Sequence, residues 1–442
     1  MPRTRHARSP RTGLAARIHR ARNPDASPRK GLLGLLGPGL ITGASDDDPS
    51  GIATYSQAGA AFGYAMCWVM LFCYPLMAAI QEISARIGRV SGTGIAGNIR
   101  DHYPRALLYF IVSLLLVANI INLGADLGAM ADGLRLLIGG PGWLYVIGFA
   151  VGCAILEVFS SYARYVQVLK WTSAILLTYV AVVLVVEVPW ATVAYNTFVP
   201  NFSLATDYVT TVVAVLGTTI SPYCFFWQSS TEVEDMRADP AAKTLITAPG
   251  QAKAAIFRIR LDTYLGMAYS NLISFAIIVA TAATLHAHGI TDIQTSSQAA
   301  EALRPIAGAA TFALFAIGII GIGLLAVPVL AGSCAYALGE ALGWPTGLGR
   351  LPKDARAFYA TIVVSTLIGI GFNFVGIDPI KALFWSAVLN GVVAVPLMAV
   401  MMVMAMAPKV MGSFVLPRPL WVMGWLSTLV MGAAVVIMFA TW

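Results

Sequence analysis

The sequence predicts an all-α integral membrane protein: two five-helix repeats of inverted orientation, each opening on a broken helix, plus an eleventh transmembrane helix. Three observations carry this. Of the 442 residues, 58% are hydrophobic and only 11% are charged, whereas soluble domains carry about 25% charged residues. The apolar residues fall in continuous runs of about 20, the length a helix needs to cross a bilayer, and not in the alternating pattern of a membrane barrel. Two of these runs are interrupted by Pro and polar residues, five spans apart.

The elements follow in order. Residues 1–31 hold nine Lys and Arg among Pro and Ser, and read as a disordered basic cytoplasmic tail. The apolar run behind it is long and contains acids, so a signal peptide is not expected. Eleven spans follow, at about 32–59, 62–87, 106–131, 142–161, 167–188, 207–231, 262–285, 306–338, 357–376, 382–407 and 419–441. The first repeat is then 32–188 (helices 1–5), the second 207–407 (helices 6–10), and 419–441 is helix 11. Charge tests the count. With the amino terminus in the cytoplasm, 25 of the 28 Lys and Arg fall on the inside, and only Arg135, Arg304 and Lys381 fall outside. That asymmetry obeys the positive-inside rule. It predicts a multi-pass inner (cytoplasmic) membrane protein with its carboxy terminus outside. The five Cys make no CxxC pair, so neither a disulfide framework nor a thiolate metal cluster is expected.

The first span is broken by "DDDPSG" and the sixth by "GTTISPYC". Being five spans apart, they enter the membrane in opposite directions. Interrupted helices at matching places in two halves point to an inverted-repeat transporter whose site lies where the breaks meet. An intramembrane carboxylate costs about 2.5–3.5 kcal/mol on insertion scales and marks an ion or proton site by default. Asp48, directly before Pro49, is the leading candidate; no Lys or Arg lies in either broken span to make it half of a structural ion pair. Asp46 and Asp47 either bind ion, cap a half-helix or face a cavity. Pro49 should free the carbonyls near Ser45 and Asp46, and Pro222 those near Thr218 and Thr219. Ser221 adds a hydroxyl, or is simply small enough for close helix packing. Carbonyls and carboxylates are hard ligands, suited to Na⁺, Mg²⁺, Ca²⁺ or Mn²⁺. Tyr223 and Gln228 follow the second break, as cavity residues or as core fillers.

Other polar residues lie at membrane depth. Glu82 either lines a pathway or pairs with Arg86 one turn on. Asn122 and Asp126 share a helix face at i,i+4 spacing, and Asn390 lies in the tenth span. Each either lines a pathway or makes an interhelical hydrogen bond. His286 and His288 read as solvated surface, and "EVED" at 232–235 as a charged cytoplasmic edge.

The stretch from "GPGLITGASDDDPSGIATYSQAGAAFGY" through "SARIG" resembles the first two helices of the natural-resistance-associated macrophage protein (NRAMP) family of divalent-metal transporters. The family carries Asp-Pro-Gly-Asn at its first break and Met-Pro-His at its second. Here these read Asp48-Pro49-Ser50-Gly51 and Ser221-Pro222-Tyr223, with "QSS" where "HSS" is usual. The resemblance implies the LeuT-type fold and metal-ion transport by alternating access. It makes Asp48, Ser45, Gly51, Thr218 and Ser221 the candidate metal site. The family's Asn ligand has become Gly51, its Met thioether Ser221, and its sixth-helix His residues Tyr223 and Gln228. The family's third-helix acid is not cleanly matched, since Asp126 falls one position away.

These departures have a direction. Loss of a thioether relaxes discrimination against hard ions, and fewer side-chain ligands suit an ion that keeps several waters, as Mg²⁺ does. The pattern resembles the divergent NRAMP-related branch associated with Mg²⁺ transport. The expectation is therefore a secondary transporter for Mg²⁺, and for Mn²⁺ with it, with weak or no proton coupling. The alternatives are a proton-coupled Mn²⁺/Fe²⁺ transporter of the ordinary family type and a Na⁺-coupled symporter of organic solutes on the same fold. An enzyme is not expected, nor a cofactor beyond the transported cation. The expected partners are the ion and the lipid bilayer, without nucleic acid or an obligate protein partner.

Overall fold

The computed structural model describes residues 38–159, 176–374, 376 and 378–442. The basic tail at 1–31 and part of the fifth span lie outside the described residues.

The first span is two helices, α1 (Pro38–Asp46) and α2 (Pro49–Phe62). Proline explains the break: Pro49 has no N–H to donate, and it sits at the first turn of α2, where none is needed. α3 (Cys67–Ser91) ends on Gly92, whose φ of +78° supplies the left-handed cap that stops a helix. Next come α4 (Ile95–His102), α5 (Arg105–Ile138), α6 (Gly142–Phe159) and α7 (Leu177–Val185), the described part of the fifth span. α8 (Trp190–Phe198) leads to the second broken pair, α9 (Thr206–Thr219) and α10 (Pro222–Ala238), again with proline opening the second half. The remaining long helices are α11 (Ala252–Thr284), α12 (Thr311–Leu342), α13 (Arg356–Phe372), α14 (Pro379–Ala405) and α15 (Arg418–Thr441), with short helical turns between some of them.

Among the described residues, seven stretches are long and apolar enough to cross a membrane, and α6 and α13 supply shorter apolar helices. Many helices outrun their apolar stretches at the charged ends: α11 begins at Ala252, ahead of Arg258 and Arg260, not at 262. α4 and α8 were not anticipated; both are short helices between spans.

Shelter from lipid is graded. The apolar stretch of α9 and α10 is 100% buried within the protein, against 33% for α15. That placement follows from the break, because unwound backbone is tolerated at membrane depth only inside protein or along a cavity. The outer surface is apolar, with Phe72, Phe110, Val117, Trp143 and Leu429 exposed, as a lipid-facing surface must be. α11 lies flush along both halves of the first span. A Cβ on Gly43 would fall 2.3 Å from the Gly266 backbone, and one on Gly59 would fall 2.3 Å from the Ile278 carbonyl. Only glycine permits these approaches, which press the broken helix against α11.

Candidate metal centre

The two breaks meet. The Tyr223 hydroxyl, in the first turn of α10, donates to the Ser45 carbonyl near the end of α1 at 2.8 Å. The carbonyl freed by the first break is thus taken up by the second half of the protein.

Asp48 is the N-cap of α2. Its Oδ1 accepts the Gly51 N–H at 2.8 Å and the Ser50 hydroxyl at 2.5 Å. Its Oδ2 accepts the Asn122 side-chain amide of α5 at 2.9 Å, and the Tyr223 hydroxyl lies 3.3 Å away. Asn122 is itself held by the Ser386 hydroxyl of α14, which donates to its Oδ1 at 2.7 Å. The strongest sequence candidate therefore sits where four donors converge, between α5 and α10.

Asp46 and Asp47 face elsewhere. Asp46 lies between α10 and α11: the Cys224 thiol is 3.7 Å from Oδ1 and the Ser270 hydroxyl 3.4 Å from Oδ2. Asp47 faces α11, where the Ser270 and Ser274 hydroxyls donate to Oδ1 at 3.0 and 3.1 Å. All three acids are at most 1% exposed. No ion pair among the described residues involves them. Among the described residues, no three His, Cys, Asp or Glu converge on one point; the acids splay instead toward three helices.

On the second break, Ser221 turns its hydroxyl back onto the carbonyls that Pro222 frees, donating to Thr218 O at 2.7 Å and lying 3.3 Å from Gly217 O. The Thr218 hydroxyl is buried without a partner. It borders Gly51, where a Cβ would lie 3.2 Å from Thr218 Oγ1. Gly51 contributes its N–H to Asp48 and no side chain. Ser45, Asp48, Gly51, Thr218 and Ser221 are thus assembled around the paired breaks.

The outlying candidates divide. Asp126, one turn beyond Asn122 on α5, lies toward the Ser50 amide, yet neither of its oxygens has a hydrogen-bond partner. Asn390 is buried on α14 with both side-chain atoms unpartnered, next to Gly391, whose backbone abuts Gly217 of α9. Gln228 accepts from Gln81 of α3 at 2.6 Å and donates to Thr263 of α11 at 2.9 Å, so it ties helices together. Glu82 is an ion-pair residue, bonded to Arg86 at 2.8 Å and to Arg260 of α11 at 2.9 Å. Glu232 pairs with Arg258 in the same region. His286 and His288 are exposed.

Sequence reasoning missed Cys224, Ser270 and Ser274. The two serines carried a signal, an i,i+4 pair of hydroxyls in an apolar helix. Cys224 carried only its place one turn into the half-helix after Pro222.

Carboxylates, hydroxyls and a carbonyl buried at two helix breaks can take a cation out of water. Comparison with known proteins agrees. The family model described as natural resistance-associated macrophage protein-like matches residues 39–441. The divalent metal cation transporter MntH of Klebsiella pneumoniae (strain 342) is 27% identical over 402 residues, which cover 90% of this chain and 91% of that protein. The Eremococcus coleocola manganese transporter, solved in complex with an aromatic bis-isothiourea substituted compound, superposes with a TM-score of 0.74 at 18% identity, over 92% of this chain and 86% of that one. Mhp1, a nucleobase-cation-symport-1 family transporter in a closed conformation, superposes with a TM-score of 0.58 at 16% identity, over 92% of this chain and 93% of its own. At these identities the two structures speak for the fold, which is of the LeuT type. With both breaks and all but the first residue of the described transmembrane helices inside the matched residues, the chain belongs to the natural resistance-associated macrophage protein-like family.

Proposed function

We propose that this protein carries divalent metal cations across the membrane by alternating access, importing Mg²⁺, and Mn²⁺ with it, as partly hydrated ions with weak or no proton coupling. The observation that carries the reading is the make-up of the paired breaks. Where the resembled family places an amide and a thioether, this chain has the bare backbone of Gly51 and the hydroxyl of Ser221. The acids diverge toward α5, α10 and α11 and do not close on one point. An ion at such a site completes its shell with water, which suits Mg²⁺, a cation that sheds water reluctantly.

The drive is electrical. A divalent ion moving inward gains about 4.6 kcal/mol per 100 mV of membrane potential, twice the single-charge value. The amino terminus is cytoplasmic and the carboxy terminus outside, and the repeats run over 32–188 and 207–407. The chain is a transporter and not an enzyme.

Cys224 favours a second reading. Its sulfur beside Asp46 is a soft donor, and soft donors favour transition metals. That matches the manganese and divalent-cation transporters similar to this chain, and makes proton-coupled Mn²⁺/Fe²⁺ transport the alternative. Uptake into proteoliposomes of Mg²⁺, Mn²⁺, Ca²⁺ and Zn²⁺, with a pH-sensitive dye inside, separates the two. Entry of both Mg²⁺ and Mn²⁺ without acidification is expected. Exclusion of Mg²⁺, or tight proton co-entry, refutes the Mg²⁺ reading.

A further inference from the structure

The acids of the first break do not all serve one ion. Asp48 has donors on both oxygens and faces α5 and α10. Asp47 faces the opposite way, onto α11. Its Oδ1 is held by Ser270 and Ser274, but its Oδ2 has no partner, although the residue is 0% exposed. A second polar group lies beside it. The Tyr55 hydroxyl, also fully buried, lies toward the Ser274 hydroxyl without a well-formed hydrogen bond and neighbours Asp47 and Asp46. A bare carboxylate oxygen and a loosely held phenol beside two serine hydroxyls call for an explanation, because buried polar groups are ordinarily well paired.

Charge points the same way. A cation on the Asp48 side leaves Asp46 and Asp47, both buried and turned toward α11, without a cationic partner. No ion pair among the described residues reaches these acids. The carboxyl end of α1, at Asp46, adds the partial negative charge of its free carbonyls.

We propose a second cation site on the α11 side of the break, formed by Asp47, Tyr55, Ser270 and Ser274 with Asp46 at its edge, and separate from the Asp48 site. Every donor is oxygen, so the occupant is a hard cation, either Na⁺ or a second Mg²⁺. Ser270 and Ser274 stand one helical turn apart and present both hydroxyls from one face. A cation held there ties the end of α1 to α11, the helix against which Gly43 already lies flush. The proposal rests on reading the Asp48 side as the site of the transported ion.

The test is binding, so that it stands apart from transport. Mg²⁺ is titrated calorimetrically into the full chain in lipid nanodiscs, in N-methyl-D-glucamine buffer, and melting temperature is followed as Na⁺ replaces that cation. A second Mg²⁺ gives two binding events per chain. Na⁺ as occupant gives one Mg²⁺ event plus a saturable Na⁺-dependent rise in melting temperature. In either case Asp47→Asn and Ser270→Ala/Ser274→Ala should each abolish the second event and keep the first. The serine variant decides the matter if Asp47→Asn does not fold. A single Mg²⁺ event with no Na⁺ dependence in the unmodified chain overturns the proposal, as does a second event that survives in both variants. Uptake by the unmodified chain judges the transport reading independently.

Discussion

Asp48 does two jobs, and a pair of substitutions separates them. It caps α2 through the Gly51 N–H and anchors α5 through the Asn122 amide; under the transport reading it also supplies the ion's charge. Asp48→Ala removes both contacts. Loss of an N-cap costs about 1 kcal/mol, and the Asn122 amide, left buried without an acceptor, costs about 1–3 kcal/mol more. The alanine variant should therefore lose about 2–4 kcal/mol of stability on those two grounds. Asp48→Asn keeps a capping oxygen, since Asn caps about as well as Asp, but sets an NH₂ where Oδ2 accepted the Asn122 amide, and should lose only that contact, about 1–3 kcal/mol. Neither variant carries the charge, so both should lose Mg²⁺ uptake in proteoliposomes. Stability is read by tryptophan fluorescence across a denaturant series in detergent. Equal stability of the two variants would refute the capping argument. Uptake by Asp48→Asn at the unmodified rate would remove Asp48 from the ion path.

Two further substitutions probe the break and the seam behind it. Ser221→Met exchanges a hydroxyl bonded to the Thr218 carbonyl for a thioether, and should raise Mn²⁺ uptake relative to Mg²⁺ in a competition assay; an unchanged ratio argues against coordination from that position. Gly43→Ala places a Cβ 2.3 Å from the Gly266 backbone, which should cost about 1–3 kcal/mol by overpacking. Gly250→Ala meets nothing within 4 Å and is the control; equal melting temperatures would show that α1 and α11 are not locked together there.

The membrane spans were legible because a bilayer accepts little else: a run of about 20 apolar residues has one stable form in lipid. The breaks were legible for a reason as local. Pro49 and Pro222 cannot continue a helix, and each stands at the first turn of the half-helix it opens. Helix ends were less legible. Hydropathy marks the lipid boundary, while the helix continues into the charged aqueous margin, as α11 does through Arg258 and Arg260. Gln228 and Glu82 show the same limit at side-chain level: both stood out as polar groups at depth, but the sequence does not say which helix meets them. The structure turns Gln228 to Gln81 and Thr263, and Glu82 to Arg86 and Arg260.

By itself, then, the sequence determined an all-α membrane protein with paired breaks and acids at the first of them, because composition and proline chemistry act within a few residues. The tertiary structure alone decided what each acid does. Asp46, Asp47 and Asp48 are consecutive, yet they face Cys224 and Ser270, Ser270 and Ser274, and Asn122, with partners 74 to 227 residues away. Where a helix breaks, successive side chains leave the backbone in different directions. The helix that each one meets is fixed by packing, here by the glycine seam that lays α1 and α2 along α11, and not by any local pattern.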